Sequence, residues 1–172
     1  DLTINEMRKR GVQVAWLDEQ HLEIAAGSYQ AGSVTVEGDA TAATYFAALA
    51  TLHKSNVTLT NLGHNSCQGD YDFLSVMEQL GAEVTHGDET HISGPENIKP
   101  LPKIDMQRMP DAALTLIAMA PLLTTPIQIT GLSSLHHKEC DRLECPAKEL
   151  ALMGVELSTT KDSINISPAN PA

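Results

Sequence analysis

Aromatic side chains are scarce. They make up 3 % of the 172 residues, so any core must be assembled from Leu, Ile, Val, Ala and Met. The material suffices, because hydrophobic residues reach 42 %, and the length suits one large domain or two small ones. Cations are scarce too: 11 Lys plus Arg face 22 Asp plus Glu, a net charge of −11. Such a surface repels phosphate backbones, which excludes general nucleic-acid binding and leaves room only for a local cationic pocket for a small anion. The three cysteines, Cys67, Cys140 and Cys145, form no CxxC and lack zinc-knuckle spacing. An odd, sparse set excludes a disulfide scaffold and fits a reduced, cytoplasmic setting. No apolar run approaches the roughly 18 residues that a membrane span needs. Asp1-Leu2-Thr3-Ile4 reads as helix interior instead of a leader, and Ser167 to Ala172 reads as a linker. Both ends therefore suggest a segment of a longer chain.

Helical spacing is present from Asp1 to Arg10 and ends at Gly11. Val12 to Trp16 and His21 to Ile24 alternate like two strands around a turn at Asp18-Glu19-Gln20, and Val34-Thr35-Val36 reads as a third. Asp39 is a natural N-cap for an Ala-rich helix from about Ala40 to Leu52. A strand at 57–60, a loop at 61–66, a helix from about Asp70 to Leu80, a stop at Gly81 and a strand pair at 82–85 and 90–93 follow. The same order then returns. A helix opens at Met109-Pro110-Asp111 and runs to about Leu122, Ile127 to Thr130 is a strand, a helix runs from about Asp141 to Met153 and stops at Gly154, and 155–158 and 163–166 close the unit. Arg10-Gly11-Val12, Leu80-Gly81-Ala82 and Met153-Gly154-Val155 repeat at spacings of 70 and 73, and Asp39-Ala40 and Asp111-Ala112 lie 72 apart. The expected fold class is α/β (α+β), built from repeated β-α-β-α-β-β units that share a core; the period is too long for the common solenoids.

The densest chemistry lies in His136-His137-Lys138-Glu139-Cys140-Asp141-Arg142-Leu143, between the strand at 127–130 and the helix that follows. A polar cluster at a strand-to-helix junction is where α/β proteins commonly hold ligands. On local sequence alone, a solvated helix start explains it as well.

Four segments in order carry a family resemblance. Glu37-Gly38-Asp39-Ala40-Thr41-Ala42-Ala43-Thr44-Tyr45 resembles the "EGDASSASY" signature of the 5-enolpyruvylshikimate-3-phosphate synthase family. Asn65-Ser66-Cys67-Gln68-Gly69-Asp70 resembles its "NSxQGD", Pro110-Asp111-Ala112-Ala113-Leu114-Thr115 its "PDAAMT", and Lys138-Glu139-Cys140-Asp141-Arg142-Leu143 its "KETDRL". The resemblance spans essentially the whole chain. It implies the enolpyruvyl transferase inside-out α/β barrel fold, with two domains each made of repeated units. Residues 1–36 would then end a unit of one domain, and 37–100 and 101–172 would be two units of the other. It also implies transfer of enolpyruvyl from phosphoenolpyruvate to the 5-hydroxyl of shikimate 3-phosphate with release of phosphate, without a metal or cofactor.

By the same resemblance, Asp111 matches the carboxylate that binds shikimate hydroxyls and takes the 5-hydroxyl proton; its local alternative is a helix N-cap. Lys138 matches the lysine that binds shikimate 3-phosphate and the reaction centre, which makes it catalytic together with Asp111 and Glu139. Glu139 matches the residue that shuttles a proton at the methylene carbon, and Arg142 the arginine that grips phosphoenolpyruvate. Ser134 stands where the family often has an asparagine on the shikimate phosphate, offering a hydroxyl instead of an amide. Asp39 reads as a cap, Gln68 and Asp70 as loop-shaping residues that cap the following helix, and His64, His136 and His137 as solvated or structural. Cys140, beside Lys138, Arg142 and two histidines, has the setting for a lowered thiol pKa, though a passive small residue is the simpler reading. The family's "PGSKS" loop, "NAGTA" segment, Ser-Ser-Gln and "DHRxAM" motifs are absent, so the rest of the same enzyme would be needed to close the cleft, and this segment alone is expected to be catalytically silent. Two other readings stand beside this one: the related transferase acting on a UDP-amino sugar, and a non-catalytic ligand-binding module of the same fold.

Overall fold

The computed structural model describes residues 2–169, so the linker expected at the C-terminal end lies outside the described residues from position 170 onward. The chain divides into two compact units, residues 1–37 and 38–172. In the first, α1 (Leu2–Lys9) is followed by a hairpin of β1 (Val14–Trp16) and β2 (Leu22–Ile24). The Asp18 carboxylate closes that hairpin by accepting the N–H groups of Gln20 and His21, both at 2.8 Å. Ile4, Val12 and Val14 form its small core. The strand expected at 34–36 does not form. Val34 and Val36 are 47 % and 78 % exposed, and alternation yields a strand only where one face has something to bury against.

The second unit holds two successive sets of elements, and only the second set has the full expected β-α-β-α-β-β order, since the first lacks its opening strand. The first contains α2 (Ala40–Leu52), β3 (Asn56–Leu59), α3 (Phe73–Gln79), β4 (Glu83–His86) and β5 (Thr90–Ser93), with an antiparallel sheet in the order β3-β5-β4. The second contains β6 (Lys103–Asp105), α4 (Ala113–Met119), β7 (Ile127–Thr130), α5 (Glu144–Leu152), β8 (Leu157–Thr159) and β9 (Ser163–Ile166), in the sheet order β6-β7-β9-β8. Only β6 and β7 run parallel. Sequence patterning does not reveal β6, because three residues that follow Pro100 and Pro102 are too short a run to show alternation.

The glycine stops are one motif used three times. Gly11, Gly81 and Gly154 all take positive φ. Each is followed by a residue whose N–H reaches back to the helix: Val12 to Met7 O, Ala82 to Met77 O and Val155 to Leu150 O. This is the Schellman closure, in which the left-handed residue lets the next amide satisfy a terminal carbonyl. Its recurrence supports the repeat independently of side-chain similarity.

The shared core confirms the expected composition, since Phe73 is its one fully buried aromatic among the described residues. Met77, Leu80, Leu116, Ile117, Ile127, Ile129 and Leu135 are buried around it. α2 carries alanines at the buried positions 47, 48 and 50, which lets it approach neighbouring backbone closely. Between α2 and α4 the Thr44 and Thr115 hydroxyls meet at 2.6 Å. Thr44 already donates to Thr41 O, so Thr115 is the donor to Thr44, and both buried hydroxyls are satisfied.

Candidate active site

The parallel pairing of β6 and β7 assembles the site. Both strands release their chains at the same edge of the sheet, one toward α4 and the other toward α5. The carboxyl ends of neighbouring parallel strands are the usual place for ligands in α/β sheets. β6 leads through Met106 and Met109, both buried, to Asp111. β7 leads through Gly131, where an added Cβ would strike Asp105 and Gln107, into a 3-10 turn at Ser133–His137. Leu132 and Leu135 anchor that turn in the core, and Leu143 anchors the start of α5. The polar residues 136–142 are thus an excursion between buried leucines. The Arg142 N–H bonded to Leu135 O at 3.1 Å keeps that excursion short.

Four sequence-predicted residues converge there. Arg142 Nη1 donates to Asp111 Oδ1 at 2.9 Å, and Lys138 Nζ donates to Asp111 Oδ2 at 3.2 Å. Arg142 Nε and Nη2 donate to Glu139 Oε1 at 2.9 and 2.6 Å. Two cations and two carboxylates therefore form one charge-balanced cluster, drawn from positions 27 and 31 residues apart along the chain. Asp111, Lys138 and Arg142 side chains are 35 %, 33 % and 27 % exposed, and Glu139 is 67 % exposed, so all four are open to solvent. Asp111 does not cap α4; its carboxylate is spent on the two cations, and the helix opens at Ala112 without a side-chain cap. Ser134 is exposed in the same 3-10 turn, and no hydrogen bond joins it to the cluster among the described residues.

Arg142 holds the Glu139 carboxyl below the usual carboxylate range, chiefly through their hydrogen bond. The sign follows directly. A lowered folded-state value means that the pairing contributes above the ordinary carboxyl value and is lost as pH falls through the lowered one. A carboxyl-carbon NMR titration should place the Glu139 midpoint below that of a free glutamate and return it toward normal in Arg142→Gln. A midpoint unmoved by that substitution would refute the pairing.

Cys140 fits the simpler passive reading: desolvation and the neighbouring Cys145 push its thiol up, outweighing the opposite pull of Arg142. Another expectation is corrected. Gln68 and Asp70 do not cap the helix after them. Gln68 Oε1 accepts the Ala40 N–H at 2.9 Å while its Nε2 donates to Gly38 O at 2.7 Å, and Asp70 accepts the Thr41 hydroxyl. Both fasten the start of α2, where Asp39 caps as expected by accepting the Ala42 N–H at 3.1 Å. The loop of the first repeat thus meets its helix start through neutral and single-charge contacts at the place where the second repeat uses Lys138, Glu139, Arg142 and Asp111. His64 contacts Gly87 O at 2.8 Å and His137 is exposed, which fits their structural and solvated readings. Asp141, which motif matching does not single out as a working residue, accepts the Leu143 and Glu144 N–H groups on Oδ1 and meets His136 through Oδ2. An Asp three residues before the helix body is a recognisable capping signal.

Among the described residues, no helix is long and apolar enough to cross a membrane, and no group of three or more His, Cys, Asp or Glu is placed to hold a metal ion. The family model for EPSP synthase (3-phosphoshikimate 1-carboxyvinyltransferase) matches residues 1–172. A 3-phosphoshikimate 1-carboxyvinyltransferase of Nostoc punctiforme is 36 % identical over 169 residues, covering 97 % of this chain and 39 % of its own length. The protein of that name from Shewanella sediminis is 37 % identical over 170 residues, covering 98 % and 40 %. Among solved structures, EPSP synthase from Acinetobacter baumannii superposes with a TM-score of 0.80 at 24 % identity, covering 99 % of this chain and 41 % of that one. The enolpyruvyl transferase NikO from Streptomyces tendae reaches 0.71 at 14 %, covering 96 % and 39 %. These likenesses show the fold. The chain spans about two fifths of the length of the curated relatives it matches.

Proposed function

The chain belongs to the EPSP synthase (3-phosphoshikimate 1-carboxyvinyltransferase) family, and from that premise we propose that it supplies one wall of the site of a transferase that moves enolpyruvyl from phosphoenolpyruvate to the 5-hydroxyl of shikimate 3-phosphate. The observation that carries the reading is the Lys138–Asp111–Arg142–Glu139 cluster, which joins two of the matched motifs at one sheet edge. In this reading Asp111 accepts the 5-hydroxyl proton as the oxygen attacks C2 of phosphoenolpyruvate, and Glu139 delivers a proton to the methylene carbon. Breakdown of the tetrahedral adduct returns that proton to Glu139 as the C2–O bond to phosphate breaks. Lys138 and the Ser134 hydroxyl hold shikimate 3-phosphate, and Arg142 grips phosphoenolpyruvate with its planar fork.

Charge exchange links binding to chemistry. Glu139 is kept ionised by Arg142, whereas its role requires a proton. A phosphoenolpyruvate anion that takes the guanidinium strips Glu139 of its partner and raises its proton affinity when the acid is needed. The substrates carry two phosphates and a carboxylate, more negative charge than two cations neutralise. The remaining cations are therefore assigned to the rest of a family-length protein, as is the repeat unit that residues 1–36 would complete.

Phosphate release measured with both substrates tests this. The 172-residue chain alone should release none, while a family-length protein carrying it should turn over. Glu139→Gln should lower that turnover about a hundredfold. Normal turnover by Glu139→Gln would establish the non-catalytic module instead, and turnover only with a UDP-amino sugar would establish the related transferase.

A further inference from the structure

His136 lies outside the charge cluster yet touches the Asp141 side chain and the Lys161 backbone carbonyl. Its Nδ1 faces Asp141 Oδ2 at 2.7 Å, and its Nε2 faces the carbonyl oxygen of Lys161, in the β8–β9 turn, at 3.1 Å. Both partners accept hydrogen bonds and neither donates. A neutral imidazole has a single N–H, so one of these contacts would set lone pair against lone pair; only the doubly protonated ring serves both. Asp141 is the other half of the device. While Oδ2 meets the ring, Oδ1 takes the Leu143 and Glu144 N–H groups at 3.0 and 2.8 Å, and its carbonyl takes that of Cys145 at 3.0 Å. Arg142 is the next residue along, and Lys138 and Glu139 lie between His136 and Asp141 in the chain.

We propose that His136 is a positioning residue: as an imidazolium it ties Asp141 to the β8–β9 turn and so clamps the 138–142 segment in the shape that presents Lys138, Glu139 and Arg142. That role rests on reading the segment as substrate-binding; the clamp itself does not. The groups that act on the ring are Asp141 and Glu144 from the start of α5 and the Lys161 carbonyl from the β8–β9 turn, where Asp162 is the next residue; His137 and Lys138 follow His136 in the chain. The hydrogen bond to Asp141 is the leading cause that raises the His136 pKa, and backbone N–H donation from Glu144, then His136, lowers that of Asp141. The signs set a window. The histidine contribution is complete below about 6.5 and is lost as pH rises through the raised value, while the aspartate contribution is lost as pH falls through the lowered one. The clamp holds between the two.

Imidazole nitrogen NMR on the 172-residue chain decides the matter without any turnover. Both His136 nitrogens should be protonated at pH 6.5, with a midpoint above that of free histidine. Asp141→Asn should bring the midpoint back down, since its amide keeps an oxygen for the helix start but turns an N–H toward the ring. At fixed pH, His136→Gln should speed exchange of the Arg142 Nε–H about tenfold, the scale on which partners one layer behind a site act. His136→Arg, which keeps the charge and two donors, should restore it. A His136 ring that is neutral at pH 6.5, or Arg142 exchange unchanged by His136→Gln in a folded chain, would overturn the clamp. Absence of turnover in the family-length protein would instead count against the proposed transferase and leave these readouts standing.

Discussion

Asp111→Asn in a family-length protein is expected to lower kcat about a thousandfold, with a much smaller change in KM. General-base removal typically costs about 10²- to 10⁴-fold. The effect should exceed that of Glu139→Gln for two geometric reasons. Asp111 pairs with both cations of the cluster, whereas of those two Glu139 pairs with Arg142. Glu139 is also the more exposed, so water can partly stand in for it as a proton carrier. The substitution removes the charge that pairs Lys138 and Arg142 but leaves the helix start intact. The Asp111 side chain caps nothing, and its backbone carbonyl accepts the Leu114 N–H in either variant. Far-UV circular dichroism should therefore match the parent while phosphate release collapses. A kcat within threefold of the parent would remove Asp111 from the chemistry and leave it as a structural partner of Lys138 and Arg142.

How far such a site can be foreseen depends on whether its signal is local. The helix stops at Gly11, Gly81 and Gly154 are local: a left-handed residue is needed at one place, and glycine marks it. The Asp39 cap and the strand pair around Gly87-Asp88 are local in the same sense, and all of them form as the sequence suggests. The motifs single out Asp111, Lys138, Glu139 and Arg142 together, but their contacts depend on β6, which has no pattern of its own. Its strand character comes from pairing with β7, a tertiary effect that overrides weak local preference. Gln68 fails in the same way. Its partners lie 28 and 30 residues earlier, so a local reading attached it to the wrong helix. The His136–Asp141 pair was within reach of spacing alone, but the Lys161 carbonyl that makes the ring a double donor is 25 residues away.

Gly94→Ala is expected to be the most damaging conservative change in the second unit. Gly94 directly follows β5, and its N–H donates to Ser55 O at 2.9 Å. This draws the strand end against the last turn of α2. A Cβ built there would strike the Ala50 carbonyl oxygen, with the Ala50 carbonyl carbon at 2.9 Å and Lys54 Cα at 3.0 Å. All three atoms are backbone, so no rotamer change relieves the overlap. The same Ala50 oxygen accepts the Ser55 N–H at 3.1 Å, so pushing it aside breaks the closure of the helix as well. Overpacking costs about 1–3 kcal/mol where side chains can yield, and with rigid backbone on the receiving side the loss should be about 3 kcal/mol or more. For a slope of about 2 kcal/mol per molar urea, the midpoint should fall by about 1.5 M. Circular dichroism of the helices should be the probe, because Trp16, the one tryptophan, reports on the other unit. Gly32→Ala is the control, since a Cβ there meets nothing within 4 Å, and it should move stability by less than about 0.5 kcal/mol. An unchanged midpoint for Gly94→Ala would mean that α2 and β5 are not pressed together, and the alanine-rich face of α2 would lose its physical reason.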